Sequence, residues 1–440
     1  MKRLRFALLL LLPFSLAAPA AATDLLAIYR AAQDEDALFA AARAEHRAGQ
    51  EKIKQGRALL LPSLTFATNT TFNDITTDNA SPFISGGNKR YNTHGYGFNL
   101  VQPLFREQNW AAYNQAELQT AIADTNFRLS RQDLILRVAQ TYFDVLIAQD
   151  TVQLTGAQKS AIAEQLEQAK RNFEVGSATI TDTYEAQARY DLILAQELVA
   201  ANDLEVKRRA LQQMLNTAVG ELDALGAHFD LRPPVPEQQQ AWIDIAHQNS
   251  LPVELAQAAF ELAEREVERS RGGHLPTLDI VAGHTKNVQT GGNFGAITVT
   301  SNTVGLQLNM PLFEGGATQS KWREAEANRE KARQELENAR RTAELQTRQA
   351  YLGVATGMAQ VRALQQAMKS NQSLLEASKL GQEVGVRTNL DVLNAQQQVF
   401  ATRRDLLQAQ YTYLLSHLRL KAAAGNLQEA DLEWVNQALH

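Results

Sequence analysis

Two eight-residue turns hold the side chains most able to act together in this chain. Val175-Gly176 precedes Thr179 and Asp182, and Val384-Gly385 precedes Thr388 and Asp391, so both read Val-Gly-x-x-Thr-x-x-Asp. Glycine ends a helix in the left-handed region. Thr-x-x-Asp opens the next helix as a capping box, and its carboxylate complements the helix dipole. That is one reading of Asp182 and Asp391. The other needs several chains arranged about an axis. An inward aspartate then becomes a charged ring, the kind of constriction a selective pore uses.

The sequence offers no other chemistry. Eight histidines are scattered without an H-E-x-x-H or a ligand-spaced pair, so no metal or cofactor is expected. Gly291-Gly292-Asn293-Phe294-Gly295 is glycine-rich but lies between strand-like segments, where loop flexibility explains it better than phosphate binding. There is no G-x-S-x-G and no P-loop, so the chain is not expected to be an enzyme. The absence of cysteine excludes disulfides, thiol catalysis and Cys-held metals. A net charge of −5 gives no basic excess for nucleic acid.

The elements that carry the turns come from a duplication. Leu61-Pro62-Ser63-Leu64 returns as Leu275-Pro276-Thr277-Leu278, Pro103-Leu104-Phe105 as Pro311-Leu312-Phe313, and Glu174-Val175-Gly176 as Glu383-Val384-Gly385. The copies are offset by about 210 residues. The expected organisation is a first repeat over 23–230 and a second over 231–440, the latter ending in a C-terminal equatorial segment. Each repeat should hold a short helix (24–59 or 238–271), two strands around a loop, a long helix (107–173 or 317–381) and a second short helix (181–216 or 388–424). A helix over 107–173 would span ~100 Å. Two short helices match one long helix in length, so the spacing predicts a rod of antiparallel helices. Arg329 to Arg341 carries opposite charges at i,i+4 and reads as a solvated face.

The strands alternate. Tyr96, Phe98 and Leu100 interleave with Gly95, Gly97 and Asn99, while Val304, Leu306 and Leu308 interleave with Thr303, Gly305 and Gln307. Apolar on one face and small or polar on the other suits an outer-membrane barrel strand. Polar loops are expected over 76–89 and 287–295. Residues 1–22 read as a signal peptide: Lys2, Arg3 and Arg5, then a short apolar core, then Ala20-Ala21-Ala22. Four strands cannot close a barrel, and an open sheet edge is not tolerated in lipid. Several chains must therefore pool their strands, and the rods beneath become a tube.

The doubled Leu-Pro-x-Leu, Pro-Leu-Phe and Val-Gly turns resemble the outer-membrane efflux (TolC) family, and most closely the member that names it. The resemblance spans 23–440. It implies a mixed α and β membrane protein with no enzymatic activity: a homotrimeric 12-stranded outer-membrane β-barrel, four strands per chain, continuous with a long periplasmic α-helical barrel. It further implies a Gram-negative outer-membrane exit duct for drugs or type I secreted proteins. The partners would be a periplasmic adaptor and an inner-membrane efflux pump or ABC exporter. A periplasmic coiled-coil scaffold and a stand-alone porin are the alternatives. The former leaves the alternating strands unexplained and the latter the long helices. The resemblance places gate residues on Asp391, Arg387, Asp182 and the adjoining Thr181. It places a second aspartate ring on Asn394, a tyrosine on Gln382 and a glutamate on Lys379, whose partner Gln165 is kept. The gate would thus be partly rewired. Adaptor hairpins would dock around Val175, Gly176, Val384 and Gly385. Segments 217–250 and 425–440 would form an irregular belt.

Overall fold

The computed structural model describes residues 24–78, 87–226, 229–292 and 295–439. The expected signal peptide and the centres of both interstrand loops lie outside them. The element order is α1 (Leu25–Glu35), α2 (Ala37–Ala58), β1 (Ser63–Thr77), β2 (Gly87–Phe105), α3 (Glu107–Glu174), α4 (Ile180–Leu215), α5 (Gln239–Asn249), α6 (Leu251–Gly272), β3 (Thr277–Gln289), β4 (Ile297–Asn309), α7 (Ala317–Glu383), α8 (Asn389–Ala423) and α9 (Ala430–Leu439). The order helix, helix, strand, strand, helix, helix occurs twice. The long helices α3 and α7 hold 68 and 67 residues without a break. No helix among the described residues is long and apolar enough to cross a membrane.

Two compact units share these elements, each drawing on both repeats. The first comprises α1, α4, α8, α9 and the latter parts of α3 and α7. Its core is aromatic: Tyr142 and Phe143 meet edge to face at 6.1 Å, and Phe143 lies 5.6 Å from Tyr411. Buried hydroxyls need partners. Tyr142 donates to the carbonyl of Asp223 and Tyr411 to the carboxylate of Asp150, each at 3.0 Å. Burial pushes both phenols well up, and it also pushes the Asp150 carboxyl up.

The expected helix over 24–59 is two helices. Asp36 takes an extended conformation, and its Oδ1 accepts from the Phe39 amide at 2.7 Å, capping α2. The side chain is buried, so burial would raise its pKa. The Arg137 guanidinium, bonded at 3.0 and 3.1 Å, overcomes this and holds it below the usual range. The expected helix over 238–271 is likewise split, at Ser250, with Pro252 in the first turn of α6, where a missing N–H costs nothing. The segment over 425–440 is more regular than expected, for it holds α9. Arg30 pairs with Glu429 at 3.2 Å, and the Leu25 amide donates to Asn436 at 3.1 Å, fixing α1 beside α9.

The second unit holds the sheet, most of α2, α6 and the first parts of α3 and α7. The four strands pair antiparallel in chain order. They run further into the loops than expected: 76–77, 87–89 and 287–289 are paired. Short of these ends, the Asn73 side chain donates across the ladder to Thr93 at 3.0 Å. Leu64 and Phe66 face Leu100 and Phe98, while Ile280 and Ala282 face Leu306 and Val304. The other face carries Ala67, Asn69, Gly97, Gly95, Gly283, Thr285, Gly305 and Gln307. Below the sheet, a Cβ on Gly49 would meet Ala123 at 2.2 Å and one on Gly56 would meet Ala116 at 2.5 Å. Two small-residue steps, seven residues apart, thus let α2 lie against α3.

Candidate functional site

The two turns are built alike. Past α3, Ser177 donates to the carbonyl of Asn172 at 2.9 Å and Gly176 to that of Phe173 at 3.0 Å. Past α7, Val386 donates to Gly381 at 2.8 Å and Gly385 to Gln382 at 3.1 Å. These are Schellman closures with glycine at the left-handed position, φ being +78° at Gly176 and +79° at Gly385. A capping box then opens each short helix. Asp182 Oδ2 accepts from the amide and hydroxyl of Thr179 at 2.9 and 2.8 Å, and Asp391 Oδ2 accepts from those of Thr388 at the same distances. The amide and hydroxyl of Thr388, helped by Arg387, hold the Asp391 carboxyl below its ordinary value.

The capping reading of Asp182 and Asp391 therefore holds in both turns. It leaves the second carboxylate oxygen of each outside the box. At Asp391 that oxygen, Oδ1, lies 3.8 Å from Arg387 Nη1, one turn apart. Arg387 is thus paired along its own helix start. Gln382 donates to Asn389 at 3.4 Å. Thr181 is exposed beside the first cap. Gln165 has a buried Oε1 with no partner among the described residues. Val175, Val384 and Val386 project into solvent, 77%, 66% and 77% exposed.

Below the turns the two repeats meet within the first unit. Ile162 of α3, Ile193 of α4 and Leu393 of α8 form one buried cluster, with Tyr190 against it. Asn394 has a partner that its sequence neighbourhood does not reveal. Arg189 of α4 donates through Nη2 to Asn394 Oδ1 at 2.7 Å and through Nη1 to Gln397. Lys159 of α3 holds Glu197 of α4 at 2.6 Å, and Asn371 of α7 donates to Thr402 of α8 at 2.8 Å. The hairpin of each repeat is thus stitched internally, while Arg189 joins α4 to α8. No group of three His, Asp or Glu residues able to hold a metal occurs among the described residues.

The family model described as "Outer membrane efflux protein" matches residues 28–217 and 242–426. The chain is 34% identical over 419 residues to the alkaline protease secretion protein AprF of Pseudomonas aeruginosa, covering 94% of this chain and 87% of that one. It is 32% identical over 428 residues to the outer membrane protein TolC of Escherichia coli, covering 95% and 85%. Among solved structures, the outer membrane protein VceC of Vibrio cholerae superposes with a TM-score of 0.77 at 18% identity, covering 91% of this chain and 96% of that one. CusC superposes with 0.78 at 17%, covering 97% and 99%. The fold is that of these channels. With both halves of its duplicated sequence matched, the chain belongs to the outer membrane efflux protein family.

Proposed function

We propose that three copies of this chain form an outer-membrane exit duct, which passively conducts drugs or secreted proteins handed over by an inner-membrane efflux pump or ABC exporter. The observation that carries the reading is the sheet. It has four strands of 13 to 19 residues, one face bears exposed Leu64, Phe66, Val304, Leu306 and Leu308, and among the described residues neither β1 nor β4 has an outer neighbour. In hydrocarbon those two edges must be satisfied. Joining β4 of one copy to β1 of the next closes a 12-stranded barrel, wide enough for a conduit. A periplasmic scaffold has no use for such a face, and a simple porin has none for two helices of more than 60 residues.

The long helices and their partners would form the periplasmic tube, with the two turns at its mouth. Asp391, Asn394, Gln382 and Thr181 would surround the constriction, Arg387 and Asp182 would latch it, and the periplasmic adaptor would seat on Val175, Gly176, Val384 and Gly385. The AprF relationship favours protease-type cargo as a first assay. The test is deletion of the gene with plasmid complementation. Heat-modifiable trimers in the outer-membrane fraction, with drug hypersensitivity or loss of a secreted protein on deletion, support the duct. Monomers in the periplasmic fraction would sink it.

A further inference from the structure

The apolar face of the sheet is not apolar throughout. From the Leu278–Leu308 pair upward it runs through Ile280–Leu306 and Ala282–Val304, with Leu100 and Leu64 alongside. It then turns polar. His284 faces Asn302 and Phe98, Lys286 faces Thr300 and Tyr96, and His94 faces Val288 and Thr70. Lys286 stands eight residues above Leu278, ~27 Å along the strand. At a barrel tilt of 35–45° that is roughly 20 Å of height, near the top of a ~25 Å apolar band. A lysine deep in hydrocarbon would be costly, whereas one at the headgroup level is favourable.

The patch has the shape and charge for an anion. Thr68, Thr70, His94, Tyr96, Lys286 and Val288 line a groove of about 420 Å³. The Tyr96 ring stands 6.2 Å from that of His284, whose Nδ1 is bonded to Asn302 Oδ1 at 2.6 Å. Among the described residues Lys286 has no hydrogen bond or ion pair. The acidic side chain of β1 on this face, Asp74, is occupied by Arg90 at 2.9 Å. A cationic group, a phenol and an imidazole thus converge on a groove rimmed below by aliphatic side chains.

We propose that this groove binds the phosphorylated headgroup of an anionic outer-leaflet lipid, with the acyl chains lying down the apolar band from Ala282–Val304 to Leu278–Leu308. Lys286 supplies the charge, Tyr96 a hydroxyl donor and His94 a second polar edge. A freely soluble phosphate would gain nothing from the aliphatic strip below, so the lipid is the occupant that uses the whole surface. The inference rests on the sheet being a barrel wall, and its test separates the two.

The purified full-length protein is inserted into phosphatidylcholine vesicles with and without phosphatidic acid. Insertion is read by heat-modifiability and protease protection. Re-extracted trimers are then weighed by native mass spectrometry for retained phosphatidic acid. The expected result is preferential retention, lowered about fivefold by Lys286→Gln, the worth of one lysine at an anionic surface, and restored by Lys286→Arg. Gln307→Ala, on the opposite face of the sheet, should leave the preference for phosphatidic acid unchanged. Normal insertion without preference, or preference that Lys286→Gln leaves intact, overturns the lipid site and spares the barrel. Complete displacement by inorganic phosphate also overturns it, by showing that the headgroup alone is read. Failure to insert removes barrel and site together.

Discussion

Arg189 of α4 donates to Asn394 of α8 at 2.7 Å, across 205 residues of sequence and between the two repeats. Asn394 stands where the family resemblance places a second aspartate ring. Its carbonyl is engaged by a guanidinium from the other hairpin. Replacing it by aspartate would turn a bond charged only at the donor into a guanidinium–carboxylate ion pair. The new charge would be largely answered within the chain. Asn394→Asp alone should therefore change block by multivalent cations little in single-channel recordings. Asn394→Asp with Arg189→Ala should deepen it about tenfold, the effect of ~1.4 kcal/mol of added attraction. Full block in the single variant would show that Arg189 lets go of residue 394 in the assembled mouth.

Asp391 has two roles that one substitution can separate. Its Oδ2 caps α8 through Thr388, while its Oδ1 lies towards Arg387. Asparagine keeps an acceptor for the Thr388 amide but removes the charge, whereas alanine removes both. If Asp391 forms a cation-binding ring, Asp391→Asn and Asp391→Ala should lose block equally. Only Asp391→Ala should then lower the melting temperature. Because the Thr388 contacts depress the Asp391 pKa, block in the wild type should persist unweakened down to the ordinary carboxylate range and fade only below it. Equal melting temperatures for the two variants would deny the cap.

Gly176 and Gly385 carry the backbone requirement of the turns. A Cβ at either would meet nothing within 4 Å, so the objection to a side chain is conformational. At φ near +78° an L-residue costs about 1–2 kcal/mol, and a β-branched one more. Gly176→Val and Gly385→Val should distort the exposed Val-Gly tips while leaving the sheet untouched. The expected outcome is full yield of outer-membrane trimers with lost efflux. Ala substitutions should give an intermediate loss. Normal efflux in both Val variants would move adaptor docking away from the tips.

Much of this architecture is legible because the duplication prints every local rule twice. Each Val-Gly-x-x-Thr-x-x-Asp predicts a left-handed glycine and a capping box, and both rules are satisfied by contacts within eight residues. The strand faces follow from strict alternation, as Leu306 and Gln307 show. What the sequence conceals depends on distant partners. The break at Asp36 interrupts no hydrophobic pattern, and what makes it stable is Arg137, 101 residues away. The split at Ser250 had a readable signal in Pro252, which ordinarily marks a helix start. Arg189 carries no local mark of its bond to Asn394, so a reading of the tip residue by residue assigns Asn394 an empty role.

The half-buried pair at the base of the sheet should matter more for assembly than any fully exposed ion pair. Arg106 follows β2 and grips Asp279 of β3 through two bonds, at 2.8 and 2.6 Å, with the Asp279 side chain 7% exposed. It lies beside the irregularity between Pro103 and Phe105, where the ladder between the two hairpins loses its regular register. Arg106→Ala strands a carboxylate with little solvent, a loss on the order of 3 kcal/mol. Asp279→Asn leaves a more solvated arginine and should cost less. We expect fewer heat-modifiable trimers with Arg106→Ala, and partial rescue by adding Asp279→Asn to it. Equal trimer yields in all three variants would show that the pair does not hold the hairpins.

His417 of α8 is half-buried between the rings of Tyr413, at 4.8 Å, and Trp434 of α9, at 5.0 Å. Burial disfavours its charged form and pushes its pKa down to about 4 from the ordinary 6.5. Above pH 6.5 the ring is neutral folded and unfolded, and contributes nothing to the pH dependence. Below it the unfolded chain takes up a proton that the folded chain refuses, so stability falls until pH 4, where the folded ring protonates too. The full loss is on the order of 3 kcal/mol per chain. His417→Phe keeps an aromatic ring between Tyr413 and Trp434 but cannot titrate. Melting temperatures taken from pH 8 to pH 4 should agree in slope above 6.5 and diverge below it, the wild type falling faster. Parallel curves over the whole range would show that the unfolded and folded chains protonate His417 alike, and that the α8–α9 contact is open to water.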